Sequence, residues 1–156
     1  MTQKMKTEDV LKAYNVISTA KYGKLDDVDK IKVWKIARAM KPVAEKFRDD
    51  SEDAQQKMKP TEDFDEQLQK AQQYEVEIRK PDCDASKLPI GAAEYGQFLD
   101  EFKSYQKLVN DTIKEFAEKE VSLEFDPVSE DAFGKLMASN DWTLDQVATL
   151  GEIICE

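Results

Sequence analysis

The sequence predicts a mainly α-helical protein, a single-domain helical bundle of about five or six helices with a minimal two-stranded β element. Three observations predict it. Apolar residues recur at intervals of three and four through most of the chain, the spacing that gathers them on one side of a helix. Only five Gly and five Pro punctuate 156 residues, too few for the many turns of a sandwich or barrel. One stretch, EVSLEF at 120–125, abandons that spacing: Val121, Leu123 and Phe125 alternate with Ser122 and Glu124, as a half-buried strand does.

Taken in order, the first helix has Thr7 as its expected cap, with Glu8 and Asp9 in the first turn where the helix dipole favours acids. Val10, Ala13, Tyr14, Ile17 and Ala20 form its apolar stripe, and Gly23 marks its end. The second, residues 26–50, opens on Asp26, Asp27 and Asp29 and continues into a basic run. On a helical wheel, Val33, Ile36, Ala37, Met40, Val43, Ala44 and Phe47 fall within roughly 120°. Pro42 either kinks this helix or begins a new one. Ile31 and Trp34 project from the opposite side, among Lys30, Lys35, Arg38 and Lys41. Such outliers either meet a second neighbour or stand exposed as an apolar pair framed by cations.

Residues 49–66 are acidic and read as a solvated helix end followed by a break at Pro60, with Thr61 capping what comes next. Phe64, Leu68, Ala71 and Ile78 keep helical spacing, while Tyr74, Val76 and Ile78 also alternate with charged residues as a strand would. A lone strand leaves its backbone groups unpaired, so the strand at 121–125 needs a partner, and 74–79 is the candidate within the chain. If 74–79 is helical instead, 121–125 offers an open edge to another subunit. A loop rich in Pro and Gly leads to a long helix from about Glu94 to Glu120, striped by Phe98, Phe102, Tyr105, Val109, Ile113 and Phe116. Two short helices close the chain, capped by Ser129 and by a Thr143–Gln146 capping box, with Trp142 at the bend between them.

Charge divides the chain. Residues 1–48 hold 12 Lys and Arg against 6 Asp and Glu, whereas 49–156 hold 11 against 27, within a net charge of −10. The basic part suits an acidic partner or a nucleic acid, and the acidic remainder opposes a phosphate backbone.

The residue inventory argues against catalysis. No histidine is present, which removes the usual general base, His-dependent triads and most zinc chemistry. Cys83 lies between Asp82 and Asp84, whose charge disfavours a thiolate, and Cys155 is no better placed beside Glu156. The glycines build no phosphate cradle. The carboxylate groups at 26–29 and 63–66 lack the Gly and terminal Glu of a calcium loop. No catalytic residue, metal ligand or cofactor is therefore assigned. The N-terminus lacks a secretion signal, no run of apolar residues is long enough to span a bilayer, and isolated cysteines suit a reducing cytoplasm.

The basic helix DKIKVWKIARAMKPVAEKF leading into an acidic one, and the C-terminal EVSLEFDPVSEDAF…DWTLDQVATL layout, resemble small uncharacterised proteins of tailed bacteriophages and prophages. That resemblance implies a structural, assembly or host-modulating role in the host cytoplasm or virion. The expectation is a non-enzymatic component that binds a protein partner or itself, with no membrane and no nucleic acid. Ile31, Trp34, Lys35, Arg38 and Trp142 are the candidate contacts, although each aromatic and aliphatic member also suits the core. Three other readings stand beside this one: a carboxylate-based divalent-metal enzyme, nucleic-acid binding through 30–48, and an acidic mimic of DNA.

Overall fold

A computed structural model describes all residues, 1–156. The elements are β1 (Thr2–Lys6), α1 (Thr7–Ile17), α2 (Asp27–Lys57), α3 (Phe64–Ile78), a 3-10 turn (Ala85–Lys87), α4 (Ala92–Glu118), β2 (Glu120–Glu124), α5 (Glu130–Ser139) and α6 (Leu144–Ile154). Six helices and one two-stranded antiparallel sheet make a mainly α protein. Contacts divide the chain into two compact units. Met1–Ser51 and Lys114–Glu156 form the first, and Glu52–Ile113 form the second.

The first unit is built around aliphatic residues from both ends of the chain. Val10, Ala13, Val16 and Ile17 of α1 are buried with Val33, Ile36 and Met40 of α2, Ala132, Phe133 and Leu136 of α5, and Leu150 and Ile154 of α6. The apolar arc read from α2 is therefore its buried face. Pro42 neither breaks nor restarts that helix, which runs unbroken through an exposed proline at the cost of the hydrogen bond to the Arg38 carbonyl.

The strand at 120–124 exists, but its partner is not 74–79. β2 pairs antiparallel with β1 in the register Thr2↔Glu124 to Lys6↔Glu120. Met5, Val121 and Leu123 turn toward the core, while Lys4, Lys6, Glu120 and Glu124 face solvent. The pairing continues past the strands: the Thr7 N–H and Oγ1 both donate to the Lys119 carbonyl, at 2.9 and 2.8 Å. Thr7 is accordingly the first residue of α1 and a buried tie to Lys119, and the cap position falls to Lys6.

Residues 74–78 remain helical because only one member of the alternating set is buried. Tyr74 lies in the second unit beside Ala71 and stacks on Tyr95 with ring centroids 4.4 Å apart, whereas Val76 is 59% and Ile78 44% exposed. A strand would have put all three on one side. The core of this unit is a small cluster of Phe64, Ala71 and Phe98, joined by Leu68, Tyr95, Phe102 and Tyr105. Two bonds tie it to nearby backbone and side chains: Tyr105 Oη donates to the Gln55 carbonyl at 2.6 Å, and the Tyr95 hydroxyl donates to Glu75.

The final helices start as their caps require. Ser129 Oγ accepts from the Ala132 N–H, and Thr143 with Gln146 forms the reciprocal capping box. The C-terminus is tied back by Val128 N–H to the Ile154 carbonyl and Glu156 N–H to the Val128 carbonyl, at 2.8 and 3.0 Å.

Candidate functional site

Ile31 and Trp34 are exposed, at 53% and 54%. They stand on the side of α2 opposite Val33, Ile36 and Met40, with no second neighbour covering them. The wheel explains the company they keep: Val28 lies about 60° to one side of Ile31 and Trp34 about 60° to the other, and Arg38 projects between Ile31 and Trp34. The Arg38 guanidinium sits 5.1 Å from the centroid of the Trp34 ring, a cation–π contact of about 0.5–1 kcal/mol at an exposed site.

Several devices hold this face in place. Asp26 Oδ1 accepts from the Asp29 N–H at 2.8 Å and caps the start of α2. The loop before it is clamped by Asn140, whose Oδ1 accepts from the Lys21 N–H at 2.8 Å while its Nδ2 donates to the Lys21 carbonyl at 2.9 Å. Leu25, buried in the core, anchors the other end of that loop. Tyr22 projects from between these two fixed points, 47% exposed, and lines a shallow depression with Asp27, Lys30, Ile31 and Trp34. The apolar face is thus larger than Ile31 and Trp34 alone. Val28 could have been read from the same wheel; Tyr22, outside the helix, carried no periodic signal.

The charges around it are unspent. Lys30, Lys32, Lys35 and Arg38 have no carboxylate oxygen within ion-pair distance, whereas further along α2 Lys41, Lys46, Arg48 and Lys57 are bridged to Glu45, Asp50, Asp49 and Asp53. Lys35 and Arg38 share a second open depression with Glu124 and Asp126, but Asp126 pairs instead with the terminal ammonium at 3.9 Å.

Trp142 is placed differently. It is half-buried, packed on the core of the first unit, with its ring 6.3 Å from that of Phe133. The structure brings Ile31, Trp34, Lys35 and Arg38 together on one face and leaves Trp142 as packing for α5 and α6.

Elsewhere the surface offers little chemistry. No three Cys, Asp or Glu side chains are grouped as a metal ion requires. Hydrogen bonds from the Thr61 and Gln67 side chains lower the pKa of Asp63, which lies in a polar cleft of the second unit with Lys70, Glu94 and Glu101. A small cleft of about 180 Å³ in the first unit is walled by Val43, Phe47, Phe116 and Val121, and is smaller than ligand pockets usually are. Cys83 and Cys155 are free thiols, and no helix is long and apolar enough to cross a membrane. The chain matches no protein-family model, no curated protein and no solved structure.

Proposed function

We propose that this protein is a non-catalytic binding component that captures a protein partner on the exposed face of α2, acting in the cytoplasm or in a virion, as its resemblance to small phage proteins implies. The observation that carries this reading is a large exposed aliphatic and aromatic pair, Ile31 and Trp34, presented on a rigid helix among unpaired cations. Exposed Trp and Arg are the residues most often found at the energetic centre of an interface. A face already fixed by the Asp26 cap, the Asn140 clamp and Leu25 loses little freedom on binding, which favours affinity.

Site-specific photocrosslinking tests it. A photoreactive phenylalanine analogue placed at position 31 or 34 in the source cells gives a discrete protein adduct, and the same group at Val76, equally exposed in the second unit, does not. Replacing Ile31 and Trp34 by Ser removes the adduct formed from position 28, while stability changes by no more than about 0.5 kcal/mol for each site. No adduct from 31 or 34, or a melting temperature that collapses on Ser substitution, overturns the proposal.

A further inference from the structure

Resting on that reading, we infer that the partner element is an acidic amphipathic helix laid along α2, with its apolar stripe on Val28, Ile31 and Trp34 and its carboxylates on the flanking cations. The mode of docking follows from the surface. Apart from the Arg38 carbonyl that Pro42 leaves without its donor, the mid-helix backbone groups are hydrogen-bonded within α2, so this face has no row of open backbone groups to which an extended strand could add. What it presents is a row of side chains at i, i+3 and i+7, namely Ile31, Trp34 and Arg38, running about 10 Å along a helix, the arrangement that receives the ridges of another helix. The depression between Tyr22, Ile31 and Trp34 gives one apolar side chain of that helix a seat.

The sign of the partner's charge follows from the cations. Four positive side chains without a carboxylate partner surround an apolar centre in a chain whose net charge is −10. A second copy matches this face less well, because it would bring four cations toward four cations with Asp27 the one carboxylate lining the depression on each side. Single-stranded nucleic acid would also seek cations beside aromatic rings, and Tyr22 lies near Trp34, but Val28 and Ile31 make the rest of the face aliphatic, which serves a packed side chain better than a stacked base. An acidic helix uses both the apolar stripe and the four cations, against the single carboxylate of Asp27, and the charges would speed its encounter as well as fix its orientation.

The probe is a synthetic helical peptide with Leu on one stripe and Glu on both flanks, labelled for anisotropy and titrated with the intact protein. Two counterparts run beside it: the same peptide with Lys for every Glu, and a labelled oligothymidylate. The Glu peptide is expected to bind, to lose at least tenfold in affinity between about 0.05 and 0.3 M salt as screening demands, and to lose at least tenfold more on the double change Lys35→Glu, Arg38→Glu. The Lys peptide is expected not to bind. Failure of the Glu peptide to bind, equal binding of the Lys peptide, or preference for the oligothymidylate overturns the inference. Binding that disappears with Trp34→Ser yet ignores the double charge reversal overturns the acidic partner while leaving the docking face intact. Insensitivity to both sets of changes removes the face as well.

Discussion

The first unit gathers sixteen buried hydrophobic residues, nearly all aliphatic, into one cluster, whereas the cluster of the second has only Phe64, Ala71 and Phe98 buried at its centre, packed about mostly by half-buried rings. Size sets part of this contrast, since a shorter segment buries a smaller share of its surface. Chemistry sets the remainder. Five pairs among the rings of Phe64, Phe98, Phe102 and Tyr105 have centroids 4.8 to 6.3 Å apart, and such pairs contribute about 0.5–1.5 kcal/mol each beyond the area they bury. A few large, mutually oriented side chains thus do in Glu52–Ile113 what many methyl groups do in the other unit. The lesson is one of redundancy: the aliphatic core spreads its stabilisation over four helices and a sheet, while the aromatic one concentrates it on a single residue, Phe64.

That difference can be broken by mutation. The largest effect is expected at Phe64, which touches three other rings and is 2% exposed: Phe64→Ala costs about 3–5 kcal/mol and strips hydrogen-exchange protection from α3 and the first half of α4. Leu136→Ala, at a fully buried position shared among many neighbours, costs about 2–4 kcal/mol and lowers protection in α1, α5 and α6 together. If Phe64→Ala proves milder than Leu136→Ala, or unprotects α5 as readily as α3, the contrast between the two cores fails.

The smallest effect sharpens it. The Tyr95 hydroxyl donates to Glu75, and that bond, then burial and the nearby carboxylate charge, raise its pKa above the usual tyrosine value. A raised folded-state pKa means the stabilisation is complete below about pH 10 and is lost as pH climbs through the folded value. Tyr95→Phe should therefore lower stability slightly at neutral pH, where the bond is intact, and flatten the alkaline end of the profile so that the two proteins converge, read by denaturant melts from pH 7 upward.

Much of this was legible in the chain. The arc from Val33 to Phe47 gave the buried face of α2, and the residues that did not fit it, Ile31 and Trp34, are the ones the fold leaves in solvent. Ser129 and Thr143 marked their helix starts because a cap is a local interaction between residues two or three apart. The partner of β2 was not legible. TQKMK contains one apolar residue in five, and its strand character comes wholly from pairing with a segment more than a hundred residues away. Tyr22 escaped for a related reason, since it is aimed by the Asn140 clamp, and Trp142, although singled out at its bend, takes its place from Phe133; both are tertiary arrangements with no periodic trace.

The same long-range pairing has a consequence during synthesis. Thr7 closes on Lys119, and Lys21 on Asn140, across separations of 112 and 119 residues. Residues 1–51 thus leave the ribosome well before the strand and helices that complete their unit, and their apolar stripes stay open to water while the whole of Glu52–Ile113 is being made. The intervening segment, whose own cluster needs nothing from either end, is free to condense first and shorten the gap that the ends must close. Nascent chains stalled before residue 119 would then expose an unpaired β1 and a wet α1 beside an already ordered aromatic cluster.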